Sequence, residues 1–395
     1  MSVPSFRTHW SLDPEVRFLN HGSFGACPTA VLQAQSELRA RMEAEPVRFL
    51  HREVEPLLDA AREALATFVG ADADDVAFVT NATTGVNTVL RSLRFAAGDE
   101  LLTTDHEYNA SRNALEYAAS RWGAKVVVAK LPWPIPSPDA VVDAVLAHVT
   151  PRTRLLLVDH VSSQTAVVMP VARLISALRE RGVETLVDGA HAPGMLPLSL
   201  RELGAGYYTG NCHKWLCAPK GAAFLHVRRD LQTDIKPLVV SHGHNSTRKD
   251  RSQFRLDFDW LGTHDPSAAL CVPQAIRVVG ALLPGGWPAV MQSNREKALA
   301  ARRLLCERLK VTPDCPEEMV GSMATARLPD GFPTPPEPPL YVDPLHLRLF
   351  DEYRIEVPIV PWPRAPARHV RVSAQLYNTH TEYQALSDAL EALLR

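Results

Sequence analysis

Arg154-Leu-Leu-Leu-Val-Asp159, a helix-length segment over residues 171–181, and Glu184-Thr-Leu-Val-Asp188 follow one another near the middle of the chain. Both short runs carry consecutive apolar residues, Leu155–Val158 in the first and Leu186–Val187 in the second, and each ends on an aspartate. A strand that is apolar at consecutive positions, rather than alternate ones, is covered on both faces. Two such strands joined by a helix read as parallel neighbours in a sheet. The pattern continues upstream through Val76-Ala-Phe-Val-Thr80, Glu100-Leu-Leu-Thr-Thr104 and Lys125-Val-Val-Val-Ala129, with residues 137–149 as another helical spacer. Earlier still, Leu57, Leu58, Ala61, Leu65 and Phe68 recur at helical spacing until Gly70 ends the run. These elements predict a large, doubly wound α/β domain with a mostly parallel sheet. Polar clusters at 81–84, 105–109, 159–165 and 188–191 lie just after strand ends. In an open parallel sheet such loops converge on one ligand site.

Beyond Gly262 the texture changes. Residues 265–279 and 293–309 read as helices, and a proline-rich connector, Pro329-Asp-Gly-Phe-Pro-Thr-Pro-Pro-Glu-Pro-Pro339, reads as a surface loop. Arg354-Ile-Glu-Val-Pro358 and His369-Val-Arg-Val-Ser373 read as strands, and residues 381–394 as a closing amphipathic helix. The expected division is an N-terminal segment over 1–25 that lines the site, a large domain over 26–262 and a small C-terminal α+β domain over 263–395. The chain has 395 residues, 46% apolar and 22% charged, with a net charge of −2. That balance gives no reason to expect nucleic acid or an acidic membrane as partner. No apolar run is long enough to span a bilayer, and no charged start followed by an apolar run marks a signal peptide. The six cysteines (Cys27, Cys212, Cys217, Cys271, Cys306, Cys315) are dispersed, with neither a disulfide framework nor the spacing of a zinc site. A reduced cytoplasmic protein without a metal is the expectation.

The chemistry starts from Tyr207-Tyr-Thr-Gly-Asn-Cys-His-Lys-Trp215. Most lysines are surface charges, but one set between a histidine and a tryptophan after a short aromatic strand is placed for burial. Burial beside other cations strips an amine of its proton, which Schiff-base chemistry requires. Asp188 ends a buried strand and opens Asp188-Gly-Ala-His191. It reads either as a helix cap or as a carboxylate that holds a protonated pyridine nitrogen. Thr80-Asn-Ala-Thr-Thr-Gly85, between a strand and a helix, reads either as an ordinary turn or as a phosphate cradle of backbone N–H groups and hydroxyls. It lacks both the Walker A lysine and the three-glycine dinucleotide spacing. Taken together, phosphate loop, aspartate and lysine occur in this chain order in pyridoxal-phosphate (PLP) enzymes.

On these and further motifs the chain resembles the class V aminotransferase family of fold-type I PLP enzymes, in its isopenicillin N epimerase-like branch. The motifs are Phe18-Leu-Asn-His-Gly-Ser-Phe-Gly25, Asn81-Ala-Thr-Thr-Gly-Val-Asn87, Asp105-His-Glu-Tyr-Asn109, Asp159-His-Val-Ser-Ser163 and Val187-Asp-Gly-Ala-His191. After them come Gly210-Asn-Cys-His-Lys-Trp215, Leu261-Gly-Thr-His-Asp265 and Arg371-Val-Ser-Ala-Gln-Leu-Tyr-Asn378. The resemblance implies that Lys214 carries PLP in a Schiff base and moves the substrate α-proton. It implies that Asp188 pairs the pyridine nitrogen, that His191 sits by the ring's phenolic oxygen, and that His106 stacks on the ring. Tyr108 is implied as a second acid or base, with His106 as the other candidate. Ala82, Thr83, Asn211 (where a serine is often found) and His213 would hold the phosphate, and Ser163 would also contact the cofactor. Thr263 would reach the phosphate of the neighbouring subunit in a homodimer with shared active sites. Arg371 would clamp the carboxylate of an amino-acid substrate, with Asn20 and His21 lining the mouth of the site.

The resemblance implies epimerisation of an amino acid or amino-acid-containing peptide, in keeping with secondary metabolism. A C–S lyase acting on S-substituted cysteine or a cysteine sulfoxide is the alternative, then a transaminase. The cysteine desulfurases of the family carry a nucleophilic cysteine ahead of the carboxylate-binding arginine. No cysteine lies between Cys315 and Arg371, so persulfide chemistry of that kind is not expected. A binding subunit without catalysis is disfavoured by the presence of both Lys214 and Asp188.

Overall fold

The computed structural model describes residues 6–332 and 343–395, so residues 333–339 of the proline-rich connector lie outside it. Its twelve strands are β1 (Arg17–Phe18), β2 (Val76–Val79), β3 (Glu100–Thr104), β4 (Lys125–Ala129), β5 (Thr153–Asp159) and β6 (Glu184–Asp188). They continue with β7 (Tyr207–Asn211), β8 (Ala223–Val227), β9 (Met323–Leu328), β10 (Ile355–Glu356), β11 (Ile359–Pro361) and β12 (Arg368–Ser373).

Seven strands form one sheet in the order β2-β8-β7-β6-β5-β3-β4. Only β8 runs against the rest, antiparallel to both β2 and β7. The consecutive apolar residues of each strand divide between the two faces. Leu156 and Val158 join Leu65, Val69, Val141, Leu174 and Leu178 on one side. Leu155 and Leu157 join Val86, Val89, Leu115 and Ala118 on the other. Helices therefore cover both faces, and this is why the strands read as unbroken apolar runs. The chain leaves β3 outward to β4 and then returns to lay β5 on the other side of β3. The strand order reverses there, so the loops after β3 and β5 diverge and leave a crevice between them.

Sequence periodicity does not reveal β8 and β9. The run at β8 follows β7 through a short connection without a helix, so it breaks the strand–helix alternation used to find the others. The second predicted helix of the C-terminal part is longer than expected, spanning Gly286–Leu309, with Pro288 accommodated in its first turn. Residues 265–279 divide into two helices, Ser267–Leu270 and Val272–Gly280. A second sheet, ordered β11-β12-β9 and antiparallel, packs Val370, Val372, Ala324 and Ala326 against Leu299, Leu305, Leu386 and Leu390 of the two long helices. The last helix, His380–Leu394, starts with a reciprocal cap between Thr379 and Glu382. β1 pairs in parallel with β10, and the Ser373 amide donates to the Leu19 carbonyl, so the N-terminal segment is bonded into this C-terminal sheet. Among the described residues no helix is long and apolar enough to cross a membrane.

Gly85 shows how closely the layers approach. A Cβ there would lie 2.2 Å from Thr209 Oγ1 and 2.7 Å from Thr209 Cβ. The helix Ala82–Ser92 can press its first turn onto β7 only because that position has no side chain. Gly85→Ala is expected to lower stability by about 1–3 kcal/mol through overpacking. Urea unfolding of the cofactor-free chain measures this, and an unchanged midpoint would show that the helix yields freely.

Candidate functional site

Four strand ends supply the centre of the site. Register pairing sets Asp159 beside Asp188 and Asp188 beside Thr209, so β5 and β6 end level and β7 runs two residues further, to Asn211. Asp188 Oδ2 accepts from the Ser111 hydroxyl at 2.7 Å, and Oδ1 from the Ala190 amide at 3.0 Å. Glu107, just beyond β3, brings a third carboxyl to the same place. One oxygen from each of Glu107, Asp159 and Asp188 lies within 4.8 Å of the others. All three are buried, and Glu107 Oε1 and Asp159 Oδ2 have no hydrogen-bond partner. Burial raises the pKa of each, and mutual repulsion adds to this for Glu107 and Asp159. Among the described residues this is the one group of three or more His, Cys, Asp or Glu with metal-ligand spacing. A protonated ring nitrogen meets the same demand for positive charge.

Lys214 stands opposite, in the turn between β7 and β8. Burial, then the nearby Arg371 charge, brings its amine down to about 8, against the opposing pull of Asp188 and Asp159. Its Nζ lies 3.1 Å from His191 Nε2, and the Trp215 indole N–H donates to His191 Nδ1 at 3.3 Å. The turn itself is held firmly. Cys217 adopts a left-handed φ of 62°, and its amide donates to the Lys214 carbonyl at 3.0 Å. Gly25 lies against the same turn, where a Cβ would sit 2.3 Å from the His213 carbonyl oxygen. His21 does not line the mouth as expected. It is fully buried, with Nδ1 at 2.8 Å from the Tyr377 hydroxyl and Nε2 at 3.1 Å from the Lys214 carbonyl. It braces the lysine backbone from beneath.

The helix Ala82–Ser92 points its N-terminus at this centre. Asn81 caps it, its Oδ1 accepting from the Thr84 amide at 2.8 Å, while the Ala82 amide donates to Asn211 Oδ1 at 2.8 Å. The Thr83 amide and hydroxyl make no hydrogen bond within the described chain. His213 approaches the Ala222 carbonyl through Nδ1 at 3.0 Å, and burial lowers its pKa to about 4. Free amide and hydroxyl donors at a helix N-terminus are what a phosphate dianion needs.

Arg371 comes from β12, across the boundary between the two sheets. Its Nη2 donates to Ser23 Oγ at 2.9 Å and Asn20 Oδ1 at 3.3 Å, and Nη1 to the carbonyl and hydroxyl of Ser163. Ser163, expected at the cofactor, is also a partner of the arginine. The guanidinium is 4% exposed, Nε has no partner, and no carboxylate of the described residues pairs with it. A buried cation among neutral groups is an unfinished anion site, since removing its charge from water is costly until a partner arrives.

His106 packs its ring against Trp362, with centroids 4.4 Å apart, and against Trp133 at 5.3 Å. Its Nδ1 is 2.8 Å from the Thr165 hydroxyl, Nε2 is unpartnered, and burial lowers its pKa to about 3. Tyr108 precedes the helix Asn109–Trp122, is 42% exposed and lies close enough to Arg371 to influence its charge. Thr263 is exposed and is not bonded to any of these groups within the described chain. Sequence reading missed Glu107, Ser111 and Ser23. Glu107 and Ser23 stood inside quoted motifs without a role, while Ser111 meets Asp188 across 77 residues and Ser23 meets Arg371 across 348.

A family model described as Aminotransferase class-V matches residues 19–283. The isopenicillin N epimerase of Amycolatopsis lactamdurans is 40% identical, over 98% of this chain and 97% of that protein. A probable chloroplastic L-cysteine desulfhydrase of Arabidopsis thaliana is 32% identical, over 97% of this chain and 84% of that protein. Among solved structures, a C-DES variant with glycine covalently linked to its PLP cofactor superposes with a TM-score of 0.80 at 21% identity. It covers 97% of this chain and 98% of that one.

The Lys214 amine, near 8 rather than the usual 10.5, is protonated below that pH and nucleophilic above it. Reductive labelling of the cofactor-free chain with a small aldehyde, read peptide by peptide in a mass spectrometer, should modify Lys214 with a midpoint near pH 8. A midpoint near that of ordinary lysine would contradict the electrostatic reading.

Proposed function

Since the chain belongs to the aminotransferase class-V family, we propose that its PLP chemistry is epimerisation at the α-carbon of an amino acid or amino-acid-containing peptide. The observation that carries the substrate class is Arg371, a buried guanidinium with neutral partners and an unpartnered Nε. An α-carboxylate completes it by bidentate hydrogen bonding. The choice of epimerisation rests on the 40% identity to an isopenicillin N epimerase along nearly the whole of both chains.

The residues present fit the cofactor. Asp188, held by Ser111 and the Ala190 amide beside two carboxyl oxygens without partners, would take the ring nitrogen. Ala82, Thr83, Asn211 and His213 would surround the phosphate, and His106 and His191 would flank the ring. When bound, PLP supplies an aldehyde carbon for an amine and a protonated ring that withdraws electrons from the substrate α-carbon. The chain does the rest. Arg371 orients the substrate by its carboxylate, Asn20 and Ser23 fix the guanidinium, and Lys214 Nζ removes the α-proton. Inversion needs a second group on the opposite face to return a proton. Tyr108 is suited to this because it is accessible and near Arg371, whereas His106, at about 3, is a neutral imidazole near neutrality and lacks the second, acidic proton.

C–S lyase activity is the second reading, supported by the 32% identity to a probable L-cysteine desulfhydrase. It would use the same proton removal by Lys214 and then release sulfur from the β-carbon. Desulfurase chemistry needs a thiolate. Here five cysteines are buried, and the sixth, Cys315, is pushed up to about 11 by burial. We also propose a homodimer in a reducing cytoplasm. Exposed Phe24, Val47 and the Leu238-Val-Val240 run support the dimer, as does Thr263, exposed where a second subunit can meet it.

Incubation with amino acids, amino-acid-containing peptides and S-substituted cysteines in deuterium oxide separates the readings. α-Deuterium incorporation with inversion and without pyruvate is expected, whereas stoichiometric pyruvate and ammonia would establish the lyase. Arg371→Ala should reduce kcat/KM by roughly 30-fold to several thousandfold, since losing one side of a buried charge pair costs about 2–5 kcal/mol. Lys214→Ala should abolish α-proton exchange and the visible absorption of the holoenzyme.

A further inference from the structure

We propose that Trp215 is a positioning residue: its indole N–H fixes the tautomer of His191, and the imidazole in turn presents Lys214 as a neutral amine. The proposal deepens the PLP reading and rests on it for its purpose, but the geometry belongs to the chain alone.

An indole nitrogen donates and never accepts. The Trp215 N–H is directed at His191 Nδ1 at 3.3 Å, so Nδ1 presents its lone pair. The single proton of a neutral imidazole then resides on Nε2. That nitrogen faces Lys214 Nζ at 3.1 Å. An ammonium has three donors and no acceptor, so it cannot receive the Nε2–H, whereas a neutral amine can. Either a second proton on the imidazole or the opposite tautomer would set N–H against N–H at the Trp215 contact. The two distances are satisfied together only by the Nε2–H imidazole and the unprotonated lysine.

The surroundings favour the same state. The groups that face His191 are Lys214, Arg371, His21 and His213, and none of them is an acid. Lys214 faces Arg371 as well as His191, with Asp188 and Asp159 on the opposing side. Trp215 cannot easily turn away. It is 1% exposed, packs with Val161, Ala166, Met195 and Met323, and meets the His21 ring at 5.0 Å. Four separate stretches of the chain therefore aim one N–H. The consequence is a lysine whose neutral, nucleophilic form is reached at a lower pH than that of an ordinary lysine.

The test uses the cofactor-free chain with 15N-labelled histidine. In the unsubstituted protein, His191 should show a bare Nδ1 and a protonated Nε2. Replacing Trp215 with benzothienylalanine keeps the ring shape and removes the donor, and Trp215→Phe removes donor and volume. In both variants His191 should lose its single tautomer. The pH midpoint for aldehyde labelling of Lys214 should rise by about one unit, the scale of one hydrogen bond to a charged group. A proton on Nδ1 in the unsubstituted protein would overturn the proposal. So would a benzothienylalanine variant whose nitrogen signals and labelling midpoint are both unchanged. Failure of the unsubstituted protein to develop visible absorption with PLP would refute the cofactor reading and leave the tautomer result intact.

Discussion

The register that sets Asp159 beside Asp188, and Asp188 beside Thr209, ends β5 and β6 at one depth of the sheet, with β7 running on beside them to Asn211. Every other group at the site takes its place from that alignment. The next turn after β7 carries Lys214 back over those ends, and the helix that packs on β7 through Gly85 brings the unpartnered Thr83 amide and hydroxyl to the same region. Because the strands are covered on both faces, their ends cannot slide without exposing Leu155 through Val158. The packing that stabilises the sheet thus also fixes the spacing of the reactive groups.

That spacing concentrates charge where water is scarce. At an effective dielectric of about 20, two carboxylates 4.8 Å apart repel by about 3–4 kcal/mol, so Glu107, Asp159 and Asp188 do not all stay ionised together. Arg371 has the opposite need, a cation without an anion. Neither cluster satisfies the other, because the carboxylates sit at the strand ends and the guanidinium is held by Asn20, Ser23 and Ser163. Each needs something from outside the chain: a cationic ring nitrogen for the first, a carboxylate for the second. On the proposed reading, cofactor and substrate would bind where the folded chain has left charges uncompensated.

How much of this could be read in advance follows from sequence distance. The strand–helix alternation, the Lys214 turn, the Asp188 strand end and the Asn81–Gly85 helix start are local, and each shows in a few adjacent residues. The parallel, doubly wound sheet follows from the same runs. What was not legible depends on pairs far apart. The Arg371 contacts with Ser163, Ser23 and Asn20 span 208, 348 and 351 residues, so no local motif shows that these groups hold the arginine. The place of His21 at the mouth of the site is only what the resemblance implies, and nothing in its own motif tells of the burial. Its burial comes from Tyr377, 356 positions away. Glu107 was hidden for another reason: a carboxylate next to a histidine gives no sign of the two aspartates it will meet on other strands.

The bonding of β1 to β10, and of Leu19 to Ser373, has a consequence for the order in which the protein becomes competent. All the groups that fit the cofactor lie before residue 215, whereas the arginine pocket needs Asn20 and Ser23 from the first tenth of the chain and Arg371 from the last. During synthesis, the residues that would hold the cofactor emerge well before Arg371 exists to recognise a substrate. Trimming from the C-terminus reverses the sequence, removing recognition first. On the proposed reading, a chain shortened before Arg371 would lack the guanidinium for the substrate while keeping the residues up to Lys214 that would hold the cofactor.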